Sequence, residues 1–166
     1  VFKNAGYDPE KDYVPVSQIT NYEFAVAVGT AVPVREFSHL LAWMKANPEK
    51  TSFGVPATGS LPHFFALMMG EKTGVSAQVI GYRGSAPLLT DLIGGHVPLA
   101  VDTLDTLEPQ HAAGKVRILA VSGAKRSPAS PDVPTFREIG IDLTATGWNT
   151  LFAPATMPAD KVRRLS

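Results

Sequence analysis

The sequence predicts an α/β fold with a mainly parallel sheet flanked by helices. Three observations predict it. Short apolar runs alternate with stretches of helical periodicity, joined by short Gly-, Pro- and Ser-rich connections. Apolar residues make up 45% of the 166 and charged residues 18%, enough to pack a core and too apolar for a disordered chain. No run of eighteen apolar residues occurs, so no segment reads as a membrane span.

The elements follow in order. Residues 1–21 are polar, contain Gly6, Pro9 and Pro15, and read as an extended arm. Tyr22 to Val28 is an apolar run with aromatic and Val content, hence a strand. Over residues 34–45, apolar side chains at Phe37, Leu40, Leu41 and Met44 give helical spacing that stops before Pro48. Thr51 to Val55 reads as a short strand and residues 56–61 as a loop, with Pro62 suited to a first helical turn. Phe64, Phe65, Leu67, Met68 and Met69 form the apolar side of the next helix, which ends between Gly70 and Gly74. The alternation repeats as a strand at 77–80, a helix at about 85–93 stopped by Gly94-Gly95, a strand at 97–101, a helix at about 104–113 and a strand at 115–122. Gly114 stands where a helix C-cap belongs. Residues 123–134 form a Pro- and Ser-rich loop. Thr135 to Ile139 reads as a short helix capped by Thr135 with Glu138 three residues on. Trp148 to Ala153 is a last strand, and Pro158 opens a final helix.

Fifteen basic residues balance fifteen acidic ones, so no basic stripe invites nucleic acid. The absence of cysteine excludes disulfides and thiolate metal sites. The chain starts at Val1 and stops in what reads as the opening of a helix. We therefore expect a piece of a longer protein, and a missing signal peptide says nothing about secretion.

In an open α/β sheet, ligands bind beyond the carboxyl ends of the strands. Three loops fall there. Ala57-Thr58-Gly59-Ser60, with His63 beyond it, offers backbone N–H groups and hydroxyls at a helix start, as an anion cradle or as a plain capping loop. Tyr82-Arg83-Gly84-Ser85 reads as an anion loop ahead of the alternative, a capped turn with an exposed Arg83. Asp102 is either a ligand acceptor or the N-cap of the following helix, and residue type favours the cap. His63 reads better as a helix-face histidine bonded to backbone than as a general base, because no nucleophile stands at a recognised spacing. His39, His96 and His111 show no metal-ligand spacing. No phosphate-binding G-x-x-x-x-G-K motif, no G-x-G-x-x-G and no G-x-S-x-G occurs, which weakens an enzyme reading.

Several stretches, in order and over nearly the whole chain, carry a resemblance. They are Tyr7-Asp8-Pro9-Glu10-Lys11-Asp12-Tyr13-Val14-Pro15-Val16, Gly59-Ser60-Leu61-Pro62-His63-Phe64, Tyr82-Arg83-Gly84-Ser85-Ala86-Pro87, Asp91-Leu92-Ile93-Gly94-Gly95, Gly114 to Ser122, Lys125-Arg126-Ser127-Pro128, Pro131-Asp132-Val133-Pro134-Thr135 with Glu138 and Gly140, and Trp148 with Leu151-Phe152-Ala153-Pro154. Together they resemble the periplasmic solute-binding proteins of tripartite tricarboxylate transporters, the Bordetella-uptake-gene type. The resemblance implies a two-lobed Venus flytrap that holds a small organic carboxylate or amino acid in its cleft. Residues 33–146 would be the second lobe, and 1–32 and 147–166 hinge strands and pieces of the first. It implies ligand contacts from Ala57, Thr58, Gly59, Ser60 and His63, and others near Tyr82, Gly84, Ser85 and Asp102, through backbone N–H groups and bridging water. It implies no catalysis, cofactor or metal, a periplasmic location and membrane transporter components as partners. Ala57 and Gly81 depart from the usual Gly and Pro, as do Arg83 from Lys, Pro98 from Asp, and Thr150 and Met157 from Gly. An effector domain of a transcription regulator shares the two-lobed architecture. A small α/β hydrolase using Ser60, His63 and Asp102 is the remaining alternative. Strands 22–28 and 148–153, expected to be exposed, would favour self-association of the piece.

Overall fold

The computed structural model describes residues 6–76 and 78–166. The elements are β1 (Tyr13–Gly29), α1 (Phe37–Ala46), β2 (Ser52–Val55), α2 (Leu61–Thr73), β3 (Gln78–Gly81), α3 (Ser85–Gly94), β4 (Leu99–Thr103), α4 (Leu104–Ala112), β5 (Val116–Val121), β6 (Thr146–Pro154) and α5 (Ala159–Leu165). A single 3-10 turn at Pro48–Lys50 follows α1. The start of the predicted 77–80 strand, Ala77, and residues 1–5 of the predicted arm lie outside the described residues. Among the described residues, no helix is long and apolar enough to cross a membrane.

Two compact units result. Tyr22–Thr146 is the larger, and the described residues up to Asn21 together with Gly147–Ser166 form the smaller. In the larger unit the strand order is β3-β2-β4-β1-β5. β2 runs parallel to β3 and to β4, while β1 is antiparallel to both β4 and β5. β2 through β5 therefore share one direction, and β1 alone reverses it, which makes the sheet mixed around a parallel core. In the smaller unit β6 pairs with β1, and the Asn149 side-chain amide donates to the Thr20 hydroxyl at 3.0 Å.

Alternation along β1 decides the layering. Phe24, Val26 and Val28 face one core cluster with Phe37, Leu40 and Met44 of α1 and Phe65 and Met69 of α2. Ala25 and Ala27 face the other, with Leu88 and Leu92 of α3 and Leu104 and Leu107 of α4. Successive strand residues point to opposite faces, so a continuous apolar run is what a strand covered by helices on both sides requires. Residues 22–28 are thus an interior strand of the larger unit, not an exposed one: Ala25, Val26 and Ala27 have no accessible surface. Burial on both faces explains the difference, since each residue of the run removes apolar area from water.

The helix expected at Thr135–Ile139 is a turn. Its capping box is real: Thr135 N–H donates to Glu138 Oε2 at 2.8 Å, and Glu138 N–H to Thr135 Oγ1 at 3.2 Å. The chain closes at once, with Ile141 N–H bonded to the Phe136 carbonyl, so the box starts no further turn.

Candidate functional site

The carboxyl ends of β2, β3 and β4 lie side by side, and each leads to the start of a helix. The N-caps of α2, α3 and α4 are Ser60, Gly84 and Thr103, and none makes a side-chain capping bond. Three helix N-termini with uncapped N–H groups thus share one sheet edge. Each carries partial positive charge and unsatisfied donors, the requirements for holding an anion.

The two loops are latched together by backbone. Tyr82 N–H donates to the Val55 carbonyl at 2.8 Å, and Gly84 N–H to the Pro56 carbonyl at 2.7 Å. Gly81 completes the latch: a Cβ there would collide with Thr58 Oγ1 and lie 2.8 Å from Thr58 N, so Thr58 occupies the space a side chain would need. Within the first loop, Ser60 Oγ donates to the Ala57 carbonyl at 2.7 Å, and Gly59 N–H donates to His63 Nδ1 at 2.9 Å. His63 is therefore a helix-face histidine that holds the loop. Its Nδ1 accepts from backbone, and the Ser60 hydroxyl is given to backbone, so the two make no nucleophile–base pair of the kind a hydrolase needs. Ala57 and Thr58 are exposed at the tip.

The Tyr82 side chain turns away from that tip. Its hydroxyl donates to Asp91 Oδ2 on α3 at 2.8 Å, and burial with the adjacent Asp91 pushes its pKa up to about 12. Tyr82 therefore pins α3 and contributes its backbone to the loop. Arg83 is exposed.

Asp102 departs from its sequence reading as a helix cap. Thr103 is the N-cap of α4, and Asp102 lies one residue earlier, inside β4. It is 1% exposed. Oδ1 accepts from Thr103 N–H at 2.8 Å, whereas Oδ2 has no hydrogen-bond partner. Burial raises its pKa, and the Ser85 side chain and the Thr103 N–H oppose that rise. Ser85 and Asp102 thus face each other across α3 and β4, one strand over from the Ala57–Ser60 loop.

Sequence reasoning missed Glu23, Asp91 and Ser122. Glu23 had a signal: it is the one charged residue in the apolar run Tyr22–Val28. Asp91 is paired by the fold, and only the fold shows it. Ser122 is fully buried; its hydroxyl donates to the Ala145 carbonyl at 2.6 Å and accepts from Phe24 N–H at 2.8 Å. Among the described residues no group of three or more His, Asp or Glu side chains is placed to hold a metal. Two concavities, of about 490 and 410 Å³, share Arg35, His111 and Arg117, and none of the loop residues above lines them.

A mixed sheet with helices on both faces and helix N-termini along its carboxyl edge defines a lobe of the periplasmic binding-protein fold. A family model, that of the tripartite tricarboxylate transporter family receptor, matches residues 1–166. The chain belongs to this family. It is 33% identical over 159 residues to a Cupriavidus necator protein encoded in the gbd 5' region, covering 96% of this chain and 48% of the relative. It is 30% identical over 149 residues to BugT of Bordetella pertussis, covering 89% and 46%. Among solved structures, an R. palustris protein with adipate superposes with TM-score 0.94 at 35% identity, over 99% of this chain and 56% of that one. The periplasmic binding protein BugD gives 0.92 at 30%, over 99% and 56%. MatC of Rhodopseudomonas palustris with bound malate gives 0.88 at 26%, over the same shares. The chain spans about half the length of the curated relatives it matches.

Proposed function

We propose that this chain supplies the carboxylate-binding lobe of a periplasmic solute receptor, which captures a small organic acid and presents it to the membrane components of a tripartite tricarboxylate transporter. The observation that carries the reading is the row of uncapped α2, α3 and α4 N-termini along one sheet edge, with the first two loops latched by backbone. Preformed N–H donors in a fixed array bind a carboxylate through charge-assisted hydrogen bonds without any enzymatic group. The ligand contacts in this reading come from Ala57, Thr58, Gly59, Ser60, Gly84 and Ser85. His63 and Tyr82 hold the loops behind them. Residues 33–146 with the Tyr22–Gly29 half of β1 act as the ligand-binding lobe, and a second lobe closes over the ligand. Relatives of the same fold solved with adipate and with malate support a carboxylate as the ligand. Isothermal titration of the intact protein against mono-, di- and tricarboxylates tests it. Saturable binding of at least one is expected, weakened when Ser60→Pro removes the Ser60 N–H bond to the Ala57 carbonyl that shapes the first loop. Heat-silent titrations across the whole panel, matched by no thermal stabilisation, overturn it.

A further inference from the structure

We infer that Glu23 accepts a hydrogen bond from a donor on the ligand, so that the site takes a hydroxy- or amino-substituted carboxylate in preference to an unsubstituted one. The inference rests on the carboxylate-receptor reading above.

Glu23 belongs to this edge by register. β1 runs against the parallel strands, so its amino-terminal half meets their carboxyl ends. Ala25 pairs with Asp102 and with Val121. Glu23, two residues earlier, projects from the same face as Ala25 and Asp102, one step further towards the edge. The carboxyl lies against Gly123: a Cβ there would collide with Oε1 and stand 2.6 Å from Oε2. A glycine thus leaves the room in which this carboxyl sits.

The carboxyl is held but not satisfied. Oε2 is buried and has no hydrogen-bond partner, and no basic side chain pairs with Glu23 among the described residues. Burial raises its pKa. Leaving a buried acceptor unpaired is unfavourable, and such groups are rare in folded proteins unless something else supplies the partner. Asp102, almost wholly buried with the Ser85 side chain beside it, lies on β4, between the strand of Glu23 and the strand that leads to the first loop. The edge is therefore polarised. Helix N-termini along the edge favour a carboxylate, and at its β4–β1 end the Asp102 and Glu23 carboxyls offset the α4 terminus and favour a hydrogen-bond donor.

The spacing suits a short ligand. β2 and β1 flank β4. Adjacent strands lie about 4.8 Å apart, so the axes of β1 and β2 are roughly 10 Å apart, a separation that suits a small acid bearing its donor next to one carboxyl.

Malate, aspartate and succinate test this, because they differ only in a hydroxyl, an ammonium or neither. Isothermal titration of the intact protein should show malate or aspartate bound roughly tenfold or more tightly than succinate, the effect of one hydrogen bond to a charged group. Glu23→Leu should bring that ratio to within about twofold of unity, by weakening the donor-bearing ligand and strengthening succinate. Gly123→Ala, which displaces the carboxyl without removing it, should narrow the ratio in the same direction. Succinate binding reports that each variant is folded. A wild-type protein that prefers succinate, or a ratio that both variants leave intact, overturns the inference while the carboxylate-receptor reading stands. If the wild type binds no carboxylate at all, both fall.

Discussion

Gly54 is where the sheet and the site can be perturbed together. It lies in β2 beneath α3, and a Cβ there would collide with Leu88 Cδ1, lie 3.1 Å from the Tyr82 ring and reach Val97 Cγ1 at 3.5 Å. Optimal carbon–carbon separation is about 3.5–4.0 Å. Leu88 has no accessible surface, so its methyl cannot swing outward. Tyr82 is fixed by its bond to Asp91. Gly54→Ala therefore forces α3 away from the sheet, an overpacking that costs about 1–3 kcal/mol. For a chain of this size each kcal/mol lowers the melting temperature by roughly 2–4 °C. Leu88→Ala alone removes a buried leucine at about 2–5 kcal/mol. Combined, the added methyl fills part of the cavity, so the double variant should be more stable than additivity predicts by at least about 1 kcal/mol. Urea unfolding with matched m-values measures all four corners of the cycle. A Gly54→Ala cost under about 0.5 kcal/mol, or strict additivity with Leu88→Ala, would refute the packing argument.

Three other perturbations have defined outcomes. Ser122→Ala leaves Phe24 N–H and the Ala145 carbonyl without their buried partner and should cost about 1–3 kcal/mol in chemical unfolding; wild-type stability would contradict that role. His63→Ala removes the acceptor of Gly59 N–H, so hydrogen exchange at Gly59 should quicken and carboxylate affinity fall, whereas unchanged protection would show that the loop holds itself. Asp102 is, with Glu23, a pH-sensitive group: burial lifts its folded pKa above the ordinary 3.8, so the folded state keeps a proton that the unfolded chain has released. Its contribution is complete below about pH 4 and is lost as pH rises through the raised value. Asp102→Asn should flatten that decline in stability, measured by urea unfolding between pH 4 and pH 7, and an unaltered slope would exonerate the residue.

Much of this was legible from residue order. Helices α1 to α4 and strands β2, β4 and β5 stand where periodicity and Gly stops put them, because each buries one face and ends at a residue that cannot continue it. Glycine near a helix end proved informative: Gly74 and Gly95 are left-handed C-caps. The parallel core was legible from alternation, but the direction of β1 was not. The run Tyr22–Val28 reads the same whether it is paired parallel, antiparallel or not at all, and only β4 and β5 on either side decide it. Thr135 and Glu138 formed their predicted box without a helix, since a cap secures a start but supplies no length. The Ala57–Ser60 and Tyr82–Ser85 loops were legible as candidates from Gly and hydroxyl content. Tyr82 turning back to Asp91 was not, because that partner lies one helix further along.

The reversed strand at the middle of the sheet has a consequence for how the protein is made. β1 precedes β2 to β5 in the chain, yet both its neighbours in the larger unit, β4 and β5, come from much later. Until Thr103 has been synthesised, Phe24-Ala25-Val26-Ala27-Val28 is an uncharged, β-prone segment with both hydrogen-bonding edges open, and one edge stays open until Val121, a composition that promotes aggregation. The helices and the parallel β3-β2-β4 pairs on one side can assemble earlier, but the sheet stays split until this segment lies between β4 and β5. A fold built this way leaves that segment open while the chain is being made, and the Glu23 carboxyl at its head is the nearest charge that opposes its pairing with other copies.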